Sequence, residues 1–179
     1  MMRQICKQIL TIGLLATLAA PVAAASVVTT IVTDPLTGVA MDGYDPVTYF
    51  TEAEPQPGRP DFEYQWGGVA WYFVSAANRD VFMRAPDVYA PQHGGYCEMS
   101  LARGYLSDGK PKIYAISKMK LYLFYSAANR EAFLLAKDAA VSEATVNWDR
   151  LRGELVGPPS GPEAETLPAA VETNTAASH

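Results

Sequence analysis

The sequence has little of the chemistry that makes small proteins easy to classify. Two of its 179 residues are cysteine and two are histidine. Cys6 lies near the N-terminus and Cys97 in mid-chain, so there is no disulfide framework, no CxxC redox pair and no paired Cys/His set of a structural zinc site. No GxSxG, HExxH, P-loop or dinucleotide fingerprint occurs, and an enzyme reading has no motif to rest on. There is no basic run either. The 14 Lys and Arg are scattered against 19 Asp and Glu, giving a net charge of −5. Nucleic acid is therefore excluded as a partner, because phosphate contacts need clustered cations. The longest apolar stretch, within residues 9–20, falls short of the roughly 20 residues that a membrane span needs. Stable membrane insertion is not expected. What is abundant is apolar side chain, at 49% of residues, which excludes wholesale disorder.

The two ends read differently from the middle. Residues 1–25 have the form of a secretory signal peptide: Arg3 and Lys7, then the apolar stretch, then Ala23-Ala24-Ala25 ahead of cleavage before Ser26. This predicts a periplasmic or secreted protein. Its removal takes away Cys6 and leaves 12 basic against 19 acidic groups, with Cys97 as the sole thiol. Residues 26–37 form an extended, β-branched lead-in that ends in the turn beginning at Asp34-Pro35. Residues 38–152 are the folded domain. Residues 153–179 are a disordered acidic tail rich in Pro and Ala, broken by Pro158-Pro159 and Pro168.

Inside the domain, the five letters Ser-Ala-Ala-Asn-Arg occur at 75–79 and again at 126–130, an offset of 51 residues. At that offset Phe73 lies over Phe124, Phe82 over Phe133, and the alternating strand 62–66 over 113–117. The two-residue turn Gly67-Gly68 lies over Lys118-Met119. Each serine suits a helix N-cap. The expected fold class is α+β: a compact single domain built from two β-hairpin–helix units around one aromatic core. Residues 51–60, with Pro55, Pro57 and Pro60, read as loop, and 41–50 as loop with aromatic anchors. Trp148 packs a last short helix onto the core.

One segment could carry chemistry. His93, Cys97 and Met99 fall within seven residues, beside the flexible pair Gly94-Gly95. Imidazole, thiolate and thioether are a donor set that suits copper. Against this stands the ordinary fate of such residues: a buried cysteine packing as a small hydrophobe, a solvated histidine and a methionine filling core. A Cys–His nucleophilic pair would need a group to orient its base, and the sequence reveals none.

The motifs Gly43-Tyr44-Asp45-Pro46-Val47-Thr48-Tyr49-Phe50, then 73–82, then Pro86-Asp87-Val88-Tyr89-Ala90-Pro91-Gln92 and Gly94-Gly95-Tyr96-Cys97, resemble the YHS-domain family. The likeness covers about residues 38–152 and is strongest to the small exported bacterial members. It implies a small α+β module related to metal-handling domains, with Cys97 in the family's usual cysteine position. Many YHS modules carry a second cysteine that has no counterpart here, and in the exported members the position of His93 is often aromatic.

These readings converge on a non-enzymatic binding role. The first expectation is a soft transition-metal site, with copper as the ion, Cys97 as anchor, and Met99 and His93 in support. The second is an interaction module of the cell envelope, with Cys97 buried and inert and the aromatic loops at 44–50 and Tyr96 docking a protein partner. The third is cysteine-based redox or catalytic chemistry.

Overall fold

Both repeated serines start a helix, and for the same local reason. Ser75 and Ser126 have extended backbones, with φ of −153° and −143°. Each side chain accepts the N–H three residues on, from Asn78 and Asn129, at 3.2 Å. That satisfies one of the amides a helix start leaves unpaired. The computed structural model describes residues 30–155. The signal-peptide reading of 1–25 lies outside the described residues, as do residues 26–29 of the lead-in and all of the tail beyond 155.

The elements, in chain order, are α1 (Thr48–Thr51), β1 (Arg59–Trp66), β2 (Val69–Phe73), α2 (Ala76–Arg84), α3 (Pro86–Tyr89), α4 (Glu98–Ala102), β3 (Lys110–Ser117), β4 (Lys120–Phe124), α5 (Ala127–Leu135) and α6 (Lys137–Leu155). Tight 3-10 turns occupy Met41–Gly43 and Gln92–Gly95. The fold is α+β. β1 pairs antiparallel with β2, and β3 with β4, as two separate hairpins. From β1 to the end of α2, every element recurs from β3 to the end of α5 at the offset of 51. Even the backbone irregularities repeat, since the register shifts between Arg59 and Glu63 in one hairpin and between Lys110 and Tyr114 in the other.

Those irregularities explain a difference from the sequence reading. Residues 59 and 60, read as loop because of Pro60, already belong to β1. Pro60 and its counterpart Pro111 both sit where the ladder is interrupted, which is where a strand tolerates a residue without an N–H. The helix that carries Trp148 also differs: α6 is 19 residues long rather than short. No helix of the described residues is long and apolar enough to cross a membrane.

The hairpins share the core through β4. Leu121 and Leu123 point into a cluster with Val47, Tyr49, Trp71, Phe73 and Phe82 of the first unit. The alternate residues Tyr122 and Phe124 point the other way, into a cluster with Cys97, Ala115, Phe133 and Ala140. A strand whose two pleated faces both meet apolar layers reads as continuous hydrophobic sequence, as Leu-Tyr-Leu-Phe does. The segment 45–49 is buried throughout, with Tyr49 donating its hydroxyl to the Pro111 carbonyl at 2.9 Å. That removes most of the stretch 44–50 from the exposed aromatic loops expected to dock a partner; Tyr44, Phe50 and Tyr96 are half-buried.

Candidate functional site

The repeat extends upstream of the hairpins, at an offset of 52 rather than 51. Met41, Asp42 and Gly43 have φ of 55°, 49° and 80°, and His93, Gly94 and Gly95 have 51°, 65° and 85°. Three successive left-handed residues are rare enough that a second run in the matching place marks the same structure. Next comes Asp45 in one unit and Cys97 in the other. Asp45 donates its N–H to the Gln56 carbonyl at 2.9 Å, and Cys97 donates to the Ser107 carbonyl at 2.8 Å. From Asp45 to Gln56 is one residue longer than from Cys97 to Ser107, and this restores the offset of 51.

Cys97 therefore stands where the first unit has a carboxylate. Asp45 is fully buried, and its side chain accepts from Val47 N–H at 2.8 Å, Val74 N–H at 2.9 Å and Asn78 Nδ2 at 2.8 Å. The Cys97 sulfur accepts from Asn129 Nδ2 at 3.3 Å, and Asn129 is the counterpart of Asn78. The N–H of Tyr125, the counterpart of Val74, and Ser100 also lie on the sulfur and favour its anion electrostatically, while the Ser100 N–H itself donates to the Cys97 backbone carbonyl at 3.0 Å. The Ser100 oxygen in turn accepts from the Ser107 hydroxyl at 2.7 Å. Burial pushes the Cys97 thiol pKa up, but the polar groups of Ser100, Tyr125 and Asn129 around the sulfur together outweigh it and hold the pKa below the ordinary thiol value. The sulfur is acidified by donors that favour its anion, with no nearby cation involved.

The other two expected ligands are placed differently. Met99 is half-buried and packs against the same cluster as Cys97. His93 faces away, toward α4 and α6. Its Nδ1 lies 2.8 Å from Glu98 Oε2, and its Nε2 lies 3.4 Å from Thr145 Oγ1 on α6. Its ring centroid is 6.0 Å from that of Trp148. Glu98 is 1% exposed, and its Oε1 has no hydrogen-bond partner. Burial raises the Glu98 pKa, and the bond from His93 opposes that rise. Among the described residues, no three His, Cys, Asp or Glu side chains gather closely enough to hold a metal ion.

An orienting group for His93 thus exists, and the sequence reading had not found it. Glu98 carries no motif, and Asn78 and Asn129 stand in the repeated pentapeptide without anything in it that points to a buried acceptor. The offset change between 51 and 52 means that no single-offset alignment matches Asp45 to Cys97 and Asn78 to Asn129 at once. Glu98 aims His93 at Thr145 and not at Cys97. The Thr145 hydroxyl already donates to the Val141 carbonyl at 2.8 Å, so its proton is committed within α6 and no activated nucleophile results. The backbone that places His93 is fixed by glycine. A Cβ on Gly94 would lie 1.9 Å from the Thr30 carbonyl oxygen, so only glycine allows 30–32 to cross the turn and Val32 to donate to the Gly94 carbonyl at 2.8 Å.

No family model matches the sequence, and neither a curated protein nor a solved structure matches it.

Proposed function

We propose that the chain is a non-enzymatic protein-interaction module of the cell envelope, in which Cys97 is a buried structural acceptor. The observation that carries this reading is an asymmetry between the units. The turn of the first hairpin is Gly67-Gly68. The second keeps the same left-handed turn with Lys118 and Met119, at φ of 50° and 56°. Left-handed backbone costs a non-glycine residue about 1 kcal/mol. That cost places Met119 at 65% exposure. An ion pair from Lys118 Nζ to Asp138, at 2.7 Å, lies between the turn and the α5–α6 junction, where Leu135 is 89% exposed. The first unit has Gly68 and Arg84 at the matching positions. Met119 and Leu135, exposed on the two segments that this ion pair joins, are adaptable apolar side chains of the kind used to bind proteins. A photo-crosslinking residue at 119, in protein exported to the envelope, should give a discrete adduct that is absent when the residue is placed at 68. Equal labelling from both turns, or none, would sink the reading.

A second reading keeps a soft metal on Cys97, with copper as the ion, and is favoured by the acidified thiol. The donors fit in part. The sulfur is predisposed to its anion and Met99 shares its cluster, while His93 is committed to Glu98. Copper bound there would take a thiolate ligand and, from Met99, a thioether. Cu(I) titration of the mature protein and of Cys97→Ser decides it. Stoichiometric binding lost in the variant supports the metal reading, and no binding by either protein removes it.

A further inference from the structure

All three tryptophans of the chain line one cleft of about 410 Å³. Trp66 forms the wall on the first unit, with the buried Trp71 behind it at a centroid distance of 5.7 Å, and Trp66 is braced edge-on by Phe82, also at 5.7 Å. Trp148 forms the wall on α6, braced by Tyr96 at 5.6 Å and by His93. The Trp71 indole N–H is held by the Trp66 carbonyl at 3.0 Å. Both indole walls are therefore fixed by neighbouring rings before any ligand arrives, which lowers the ordering cost of binding. The cleft runs on, past Asp87, into a recess of about 190 Å³ lined by Gln92, His93 and Lys120. The imidazole there is oriented from behind by the buried Glu98 carboxylate.

We propose that this cleft binds a short, uncharged oligosaccharide. The rim supplies both donors and acceptors: Asp87, Gln92, Lys120 and Arg152. Its charges nearly cancel, because Arg152 is already paired with Asp149 at 2.9 Å, and Lys120, whose ammonium donates to the Asp87 backbone carbonyl at 3.2 Å, offsets the Asp87 carboxylate. A polyanion would meet Asp87 without a surplus of cations to compensate it. A cationic ligand, although indole faces attract cations, would meet Lys120 and Arg152. A wholly apolar ligand would strip water from the rim groups without replacing their hydrogen bonds. A pyranose ring matches on both counts. Its C–H face lies on an indole, and its hydroxyls both donate to a carboxylate and accept from ammonium, amide and guanidinium groups. The volume falls within the range of ordinary small-molecule sites.

The site goes beyond the docking end proposed above and shares neither Met119 nor Leu135 with it. Because Trp66 and Trp148 face the cleft and Trp71 packs directly behind Trp66, indole fluorescence reports its occupancy, and sugars do not absorb at the wavelengths used. The mature chain is titrated with cellotetraose, chitotetraose and maltotetraose, up to about 10 mM, a range that covers weak binding. At least one should give a saturable spectral shift that is unchanged by added salt. Trp148→Ala should weaken it by about tenfold or more. Asp87→Asn, on the exposed rim, should weaken it too and serves if the tryptophan variant fails to fold. No saturable change with any of the three overturns the proposal, as does binding indifferent to both variants, or binding that falls with salt.

Discussion

The two units use one scaffold and fill its most buried polar position with different atoms. In the first, the Asp45 carboxylate ties together the start of α1, the end of β2 and Asn78 of α2. In the second, the Cys97 sulfur sits between Ser100, Tyr125 and Asn129. Two of the donors correspond, Val74 to Tyr125 and Asn78 to Asn129, yet the acceptor changes from a carboxylate to a polarisable thiol. The comparison teaches that the acidity of Cys97 is inherited from the architecture. A nest of donors that suits a carboxylate will favour the thiolate of any cysteine placed there. An acidic thiol is therefore weak evidence for catalysis here, and the missing exposure and missing base weigh more.

The comparison can be broken most sharply by emptying each nest. Asp45→Ala leaves two backbone N–H groups and an amide buried without an acceptor, and should cost about 3–5 kcal/mol in urea denaturation, in the range for breaking a buried charged network. Cys97→Ala leaves weaker bonds unmade and should cost about 1–2 kcal/mol. Equal losses would mean that the sulfur is bonded as strongly as the carboxylate and that the thiolate is the resting form. A smaller effect tests whether the units are equivalent away from the nest. Ser75→Ala and Ser126→Ala should each cost about 1 kcal/mol, since both caps have the same geometry. A difference between them much above that value would show that one helix depends on something besides its cap.

The repeat was legible because its signals are local. A serine cap, a two-residue turn and a period-two strand each need only neighbours in sequence, and the residues Ser75, Gly67-Gly68 and Phe62-Tyr64-Trp66 all fell where the pattern placed them. The site was less legible, because its partners are distant. Asn129 meets Cys97 across 32 positions, and Thr145 meets His93 across 52. Proximity in sequence suggested that His93, Cys97 and Met99 would converge. The left-handed turn at Gln92–Gly95 instead directs the imidazole toward α6 while Cys97 caps α4. The aromatic stretch 44–50 misled for a related reason. Its glycine and proline suggest an exposed loop, whereas Asp45 satisfies the backbone inside and lets the segment lie in the core.

The smallest effect concerns the turn that distinguishes the units at the surface. Lys118→Gly and Met119→Gly would convert the second hairpin turn to the composition of the first. Glycine relieves the left-handed strain but loosens the unfolded chain, and these two effects oppose each other. Relief of about 1 kcal/mol per residue outweighs the added chain entropy at these φ values, so the double variant should be stabilised by roughly 1 kcal/mol, less what the Lys118–Asp138 pair contributes. That pair is fully surface-exposed and contributes little. If glycine stabilises the fold while a crosslinking residue at the neighbouring exposed position 135 no longer captures a partner, the strain is retained for binding. If glycine destabilises the turn, Lys118 and Met119 hold structure, and the proposed docking end loses its main support.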